Sequence, residues 1–234
     1  MKKISMKKLS LGIIVCVALV GCDKIANKVA DKVADKVTQS SSVTGNAFKF
    51  TLADGPAACL KAYKEKIGQD FKILEFSTWY ALPETIDSKD ISLYKGSKGG
   101  EMYTCDIQIQ DPANEKKAVG YDMDMQTGEI EGPIPVEISV SGDAASFKLS
   151  DVVYPAGNID FAAIQGNIDA IKPKLDAKYS VYQVSGIRMD SDLRTGKPHF
   201  LVHINGKLKA NDIKESILMT LSPDGKKVLS NGLK

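Results

Sequence analysis

Polar and apolar positions alternate with a period of two through three stretches of the chain's first half, the mark of strands with one covered face. In residues 101–110 the apolar set is Tyr103, Cys105, Ile107 and Ile109, opposed by Met102, Thr104, Asp106 and Gln108. In 117–125, Val119, Tyr121, Met123 and Met125 point one way and Asp122 and Asp124 the other. In 71–82, Leu74, Phe76, Tyr80 and Leu82 oppose Ile73, Glu75, Ser77 and Trp79. Ahead of these strands the period lengthens to that of a helix. Leu60, Tyr63 and Ile67 share one side, Pro56 falls in a first turn and Gly68 follows the last. The helix is expected to cover the first-named set of each strand. Glu75, Trp79, Asp106, Asp122 and Asp124 are then left on a free sheet face, a candidate protein-binding patch.

The same order recurs downstream. Phe161, Ile164, Ile168, Ile171 and Leu175 are spaced by threes and fours, and Pro173 is expected to end or kink that helix near its last turn. Strands are predicted over 179–189, 198–208 and 215–221, and short opening strands over 47–50 and 146–149. Phe48 and Phe147 lie 99 residues apart, Gly128 and Gly225 97 apart. An offset that holds across a whole unit reads as a duplication. The predicted class is α+β: two tandem units, 47–133 and 134–234, each a helix packed on a small antiparallel sheet of about three to four strands.

Residues 121–130 (YDMDMQTGEI) and 196–204 (GKPHFLVHI) resemble the closing turn and the middle strand of PepSY domains, which are a helix followed by a three-stranded antiparallel sheet. The resemblance spans most of 54–131 and 155–232. It implies a binding module and not an enzyme. PepSY-like modules occur in secreted proteins and propeptides, where some are thought to restrain peptidases. Tandem α/β modules of similar shape are found among periplasmic inhibitor and immunity lipoproteins.

The amino terminus changes the setting. Lys2, Lys3, Lys7 and Lys8 precede an apolar run from Leu9 to Val20, too short for a permanent span, which needs about 20 residues, but suited to an export signal. Leu19-Val20-Gly21-Cys22 then resembles the lipobox of bacterial lipoproteins. That resemblance implies cleavage after residue 21 and acylation of Cys22, and two or more acyl chains anchor a protein stably. Asp23 resembles the signal that retains such proteins in the inner membrane, though Lys24 is not among its strongest partners, so the inner membrane is favoured over the outer as the bilayer partner, with the protein facing the periplasm. Residues 22–46 read as a tether. In DKIANKVADKVADKV, Ile25, Val29, Val33 and Val37 share one helix face and Lys24, Lys28, Lys32 and Lys36 another. The thin Ala/Val face favours a spacer over a helix lying in lipid.

Loss of residues 1–21 removes four lysines and no acids, so 27 basic and 29 acidic side chains remain of the original 31 and 29. A chain near −2 has no phosphate-tracking surface, which argues against nucleic acid as a partner. Of the four cysteines, Cys16 leaves with the signal and Cys22 takes the lipid. Cys59 and Cys105 are left as a pair in an oxidising compartment, where a disulfide is expected.

The sequence carries no recognisable catalytic motif. Asp122 and Asp124 followed by Gly128 do not make a calcium loop, because Thr127 and Pro133 stand where an EF-hand needs glycine and an acid. His199 and His203 lie four apart on one strand, with Cβ atoms about 13 Å apart, too far to share a metal. No nucleophile elbow, P-loop or zinc motif occurs, and no cofactor or metal is expected. The expected function is a membrane-anchored, non-catalytic protein-binding or inhibitory module whose partner is a peptidase, a toxin or an assembly complex. The alternatives are an envelope scaffold and a small-ligand carrier.

Overall fold

In a computed structural model the described residues are 49–87, 94, 96–140, 144–192 and 197–233. The export signal, Cys22 and the tether lie outside them. Residues 44–234 form one compact unit. Its elements are α1 (Gly55–Ile67), β1 (Lys72–Tyr80), β2 (Met102–Asp111), β3 (Asn114–Met123), β4 (Ile130–Val136), β5 (Tyr154–Pro155), α2 (Phe161–Lys178), β6 (Tyr179–Asp192), β7 (Lys197–Leu208), β8 (Lys214–Leu221) and β9 (Val228–Asn231).

The expectation of two small sheets is overturned. All nine strands join one antiparallel sheet in the order β4-β3-β2-β1-β6-β7-β8-β9, with β5 paired to the start of β1. A helix followed by three long strands does occur twice, but β1 and β6, the leading strands, pair with each other. Phe76 faces Met189, Ser77 faces Arg188, Thr78 faces Ile187 and Trp79 faces Gly186. Kept apart, each sheet would expose the unpaired backbone groups of a leading strand, and an open edge invites association. Joining them edge to edge satisfies both. The helical layer merges as well: Phe161 of α2 lies 5.6 Å from Phe76 of β1 and 6.2 Å from Phe200 of β7, ring centre to ring centre.

Both helices pack on one side of the sheet, over a single apolar core. Leu60 and Tyr63 of α1 and Ile164, Ile168, Ile171 and Leu175 of α2 are buried there, as their spacing predicts. Of the two outcomes expected at Pro173, an end or a kink, the first does not occur: α2 runs on to Lys178. Leu175, fully buried one half-turn beyond, anchors the continuation, and its packing offsets the lost backbone bond. The opening strand predicted at 146–149 is absent, since Leu149 instead begins a 3-10 turn, Leu149–Asp151. Of the one predicted at 47–50, residues 47 and 48 lie outside the described set, and Lys49 and Phe50 are not strand.

Cys59 of α1 and Cys105 of β2 are disulfide-bonded, both fully buried, with Cα atoms 6.0 Å apart. Beside them the Tyr63 hydroxyl donates to the carbonyl of Cys105 at 2.5 Å, with that of Tyr121 3.1 Å away. Burial, with Asp106 and Asp122 nearby, keeps that phenol protonated far above the usual tyrosine range.

The connection between the repeats covers one end of the opposite sheet face. There Leu149, Val152 and Val153 bury against Ala118, with Leu74, Val136, Ile138 and Phe147 around them. The Ser191 hydroxyl ties this segment to β6 by donating to the Val152 carbonyl at 2.5 Å. Among the described residues, the rest of that face carries no further buried apolar cluster.

Candidate functional site

Register, not sequence proximity, assembles the free face. One row runs Asp122–Asp106–Ser77–Arg188–Leu201–Thr220 across β3, β2, β1, β6, β7 and β8. The next runs Thr104–Trp79–Gly186–His203–Leu218. A third, shorter row carries Gln108 and Glu75 on one side and Asp190 and His199 on the other.

Trp79 lies flat across its neighbour in this arrangement. A Cβ on Gly186 would stand 2.4 Å from the indole Cε3 and 2.6 Å from Cζ3, so only glycine leaves room for the ring. On the far side the indole meets the His203 imidazole, centroids 5.0 Å apart. Trp79 is therefore half-buried against the sheet.

Arg188 holds the middle of the face. Its guanidinium lies 3.0 Å from Glu75 through Nε and 3.0 Å from Asp190 through Nη2. The buried Nε has no aligned hydrogen-bond acceptor, so its contact with Glu75 is ionic more than directional.

Toward β3 the face turns acidic. Asp106 and Asp122 oppose each other in register and join Asp124 and Glu131 around a cleft of about 500 Å³ with Tyr103, Thr104 and Ser97. Asp124 sits past the end of β3, where its Oδ1 accepts from the Gln126 and Thr127 amides at 2.7 and 3.2 Å. It caps a turn while lining the cleft.

Of the residues the sequence proposed, Trp79, Asp106 and Asp122 thus share adjacent rows of one face. Glu75 is on that face but is engaged by Arg188, and Asp124 belongs to the turn. Arg188, Gly186, His203 and Glu131 were missed. The first three come to Trp79 only through the β1–β6 pairing, for which the sequence carries no signal. Glu131 arrives on β4, whose prolines at 133 and 135 disguise an edge strand.

His203 is the titratable group most sensitive to this packing. Burial first, and then the charge of Arg188, hold its imidazole below the ordinary value; Glu75 and Asp190 sit on the other side of that guanidinium. The folded state therefore binds fewer protons than the unfolded chain between the lowered value and about 6.5. Stability is full above that window and falls as pH descends through it. We expect the melting temperature to drop more between pH 7.5 and 5 in the wild type than in His203→Gln. Parallel curves would show that His203 has no part in the pH response.

Among the described residues, no group of three or more His, Cys, Asp or Glu side chains is arranged to hold a metal. Comparison with known proteins finds no matching family model, no matching curated protein and no matching solved structure.

Proposed function

We propose that the protein is a lipid-anchored component of the bacterial envelope that faces the periplasm and acts as a non-catalytic protein-binding or inhibitory module. The observation that carries the binding reading is the partly exposed indole of Trp79 on the sheet face away from the helices. The helices cover the other side of the sheet, the inter-repeat segment covers one end of this one, and among the described residues the sole tryptophan belongs to neither apolar cluster. Tryptophan is enriched among the residues that dominate protein interfaces. The lipobox at residues 19–22 supports the anchorage, and the PepSY resemblance at 121–130 and 196–204 supports a binding role. The carrier alternative needs a space between helices and sheet, but Tyr63, Phe76, Ile107, Ile164 and Phe200 fill that interface.

Two measurements test the proposal. Cys22→Ser should abolish incorporation of labelled palmitate, and continued labelling would remove the anchor. Capture from crosslinked envelopes should return a partner whose activity falls when the purified protein is added. An assembly complex with unchanged activity would point to a scaffold instead.

A further inference from the structure

We infer that β9, at one edge of the sheet, takes up an extended segment of another protein as an added strand. The segment carries apolar residues at alternate positions and an acidic residue where it passes Lys227. This surface is separate from that of Trp79, four strands and about 20 Å away at the usual strand spacing.

The two edges of the sheet are built differently. Among the described residues β4 closes one side and β9 the other, and no further strand pairs with either. β4 has prolines at 133 and 135, which offer no N–H to another strand and blunt an edge against pairing. β9 reads Val-Leu-Ser-Asn, with no proline and no charge. Its backbone is set to pair. The Gly232 N–H donates to the Leu218 carbonyl at 3.0 Å, and Ser230 stands opposite Thr220 two residues along the same ladder. The polar groups of an antiparallel strand alternate sides, so those of Ser230 face β8 and those of Asn231 face outward.

Apolar exposure is concentrated at the same edge. Among the described residues five large apolar side chains are exposed. Three of them lie on β9 and its neighbour β8: Val228 at 39%, Leu229 at 54% and Leu218 at 39%. Clustered apolar exposure marks an interaction site, where scattered single residues do not. An added strand is held by main-chain bonds and selected by its side chains at alternate positions.

Charge decides which strand fits. Lys226 and Lys227 lead into β9, and both are exposed. Lys226 lies 4.0 Å from Asp160, and Lys227 makes no ion pair among the described residues. Asp224 is held within its own turn, accepting from the Ser222 hydroxyl and the Lys226 amide. A facing strand therefore gains by placing an acid beside Lys227, because opposite charges across a strand pair attract. A second copy of β9 cannot supply one, since residues 228–234 contain no Asp or Glu. The strand that fits comes from another protein.

The test places a photo-crosslinking amino acid at Leu229 in the full chain in cells and maps the adduct by mass spectrometry. The expected adduct is a segment of another protein with alternating apolar residues and an Asp or Glu at one end. Asn231→Pro removes an outward N–H and leaves the backbone bonds to β8 intact, which an edge strand tolerates. It should abolish the adduct. Lys227→Glu should cut the yield about five- to tenfold. Both variants should melt with the wild type, as surface changes usually do, whereas a purely structural role would lower stability along with capture. Adducts only with lipid or a second copy, no adduct, or a yield indifferent to Asn231→Pro overturn strand addition. A segment without an acid, or a yield indifferent to Lys227→Glu, overturns the choice of occupant. The same amino acid at Thr104, which pairs with Trp79, reports on the protein-binding reading separately. Capture there and not at Leu229 leaves that reading standing and removes this one.

Discussion

Replacing Cys59 and Cys105 together with alanine should lower the unfolding free energy by about 4 kcal/mol, and the loss should be felt across the whole sheet. The bond closes 46 residues of chain, and loop-closure entropy in the chain-entropy model gives that magnitude. It fixes α1 to β2, next to the buried Tyr63 hydroxyl. Were the repeats separate, the second would not register the change. They share the β1–β6 ladder and the contact between Phe76 and Phe161, so loosening α1 weakens the layer on which α2 also rests. Trp79 reports from the joint and is the chain's sole tryptophan. Urea unfolding followed by its emission and by far-ultraviolet circular dichroism should give coincident single transitions, before and after the substitution. Two resolved transitions, or a loss confined to the first, would refute a single cooperative sheet.

That test turns on the feature least legible in the sequence. Alternation correctly sorted residues 117–125, along β3 and just past it, burying Val119, Tyr121, Met123 and Met125 and exposing Asp122 and Asp124. It worked because β3 pairs with β2 in unbroken register from Ala118 to Asp122, and the shift in its pairing with β4 falls on the β4 side. It failed where strands bulge. An irregularity between Ile73 and Glu75 turns Ile73 into the helix-side core, and Leu74 packs in the apolar cluster on the opposite face. A second, at Trp79–Tyr80, buries Met102 in place of Tyr103, which instead stacks beside Tyr94 at 5.2 Å. A bulge adds one residue and reverses every later assignment until another cancels it, and a period of two cannot announce it. Phe76 and Tyr80 were still assigned to the covered side because they lie beyond the first bulge.

Edge pairing is hidden for a different reason. The helix-side residues of β1 and β6 are buried whether the strands pair with each other or lie in separate sheets, so hydrophobicity gives both arrangements the same pattern. What differs is the backbone, whose donors and acceptors are identical at every residue except proline. The site inherits this blindness. The acidic patch belongs to β2 and β3 of one repeat and could be read from alternation. The Trp79 platform takes Gly186 and His203 from the other repeat and could not.

The seating of Trp79 on Gly186 has an energetic signature of its own. Gly186→Ala should destabilise the protein by about 1–3 kcal/mol, as overpacking does, because the new Cβ would meet Cε3 and Cζ3 at 2.4 and 2.6 Å and the ring would have to leave the sheet. Trp79→Ala should be costly as well, since it bares Gly186 and removes the face of the ring that meets His203. Combined, the two changes should cost less than their sum. With no indole present the added methyl meets no obstacle, and alanine suits a strand better than glycine. The coupling in the double-mutant cycle should reach about 1 kcal/mol or more. Emission offers a second reading: Gly186→Ala should shift the Trp79 spectrum toward that of a solvated indole. Additive costs with an unmoved spectrum would mean that Trp79 does not rest on Gly186.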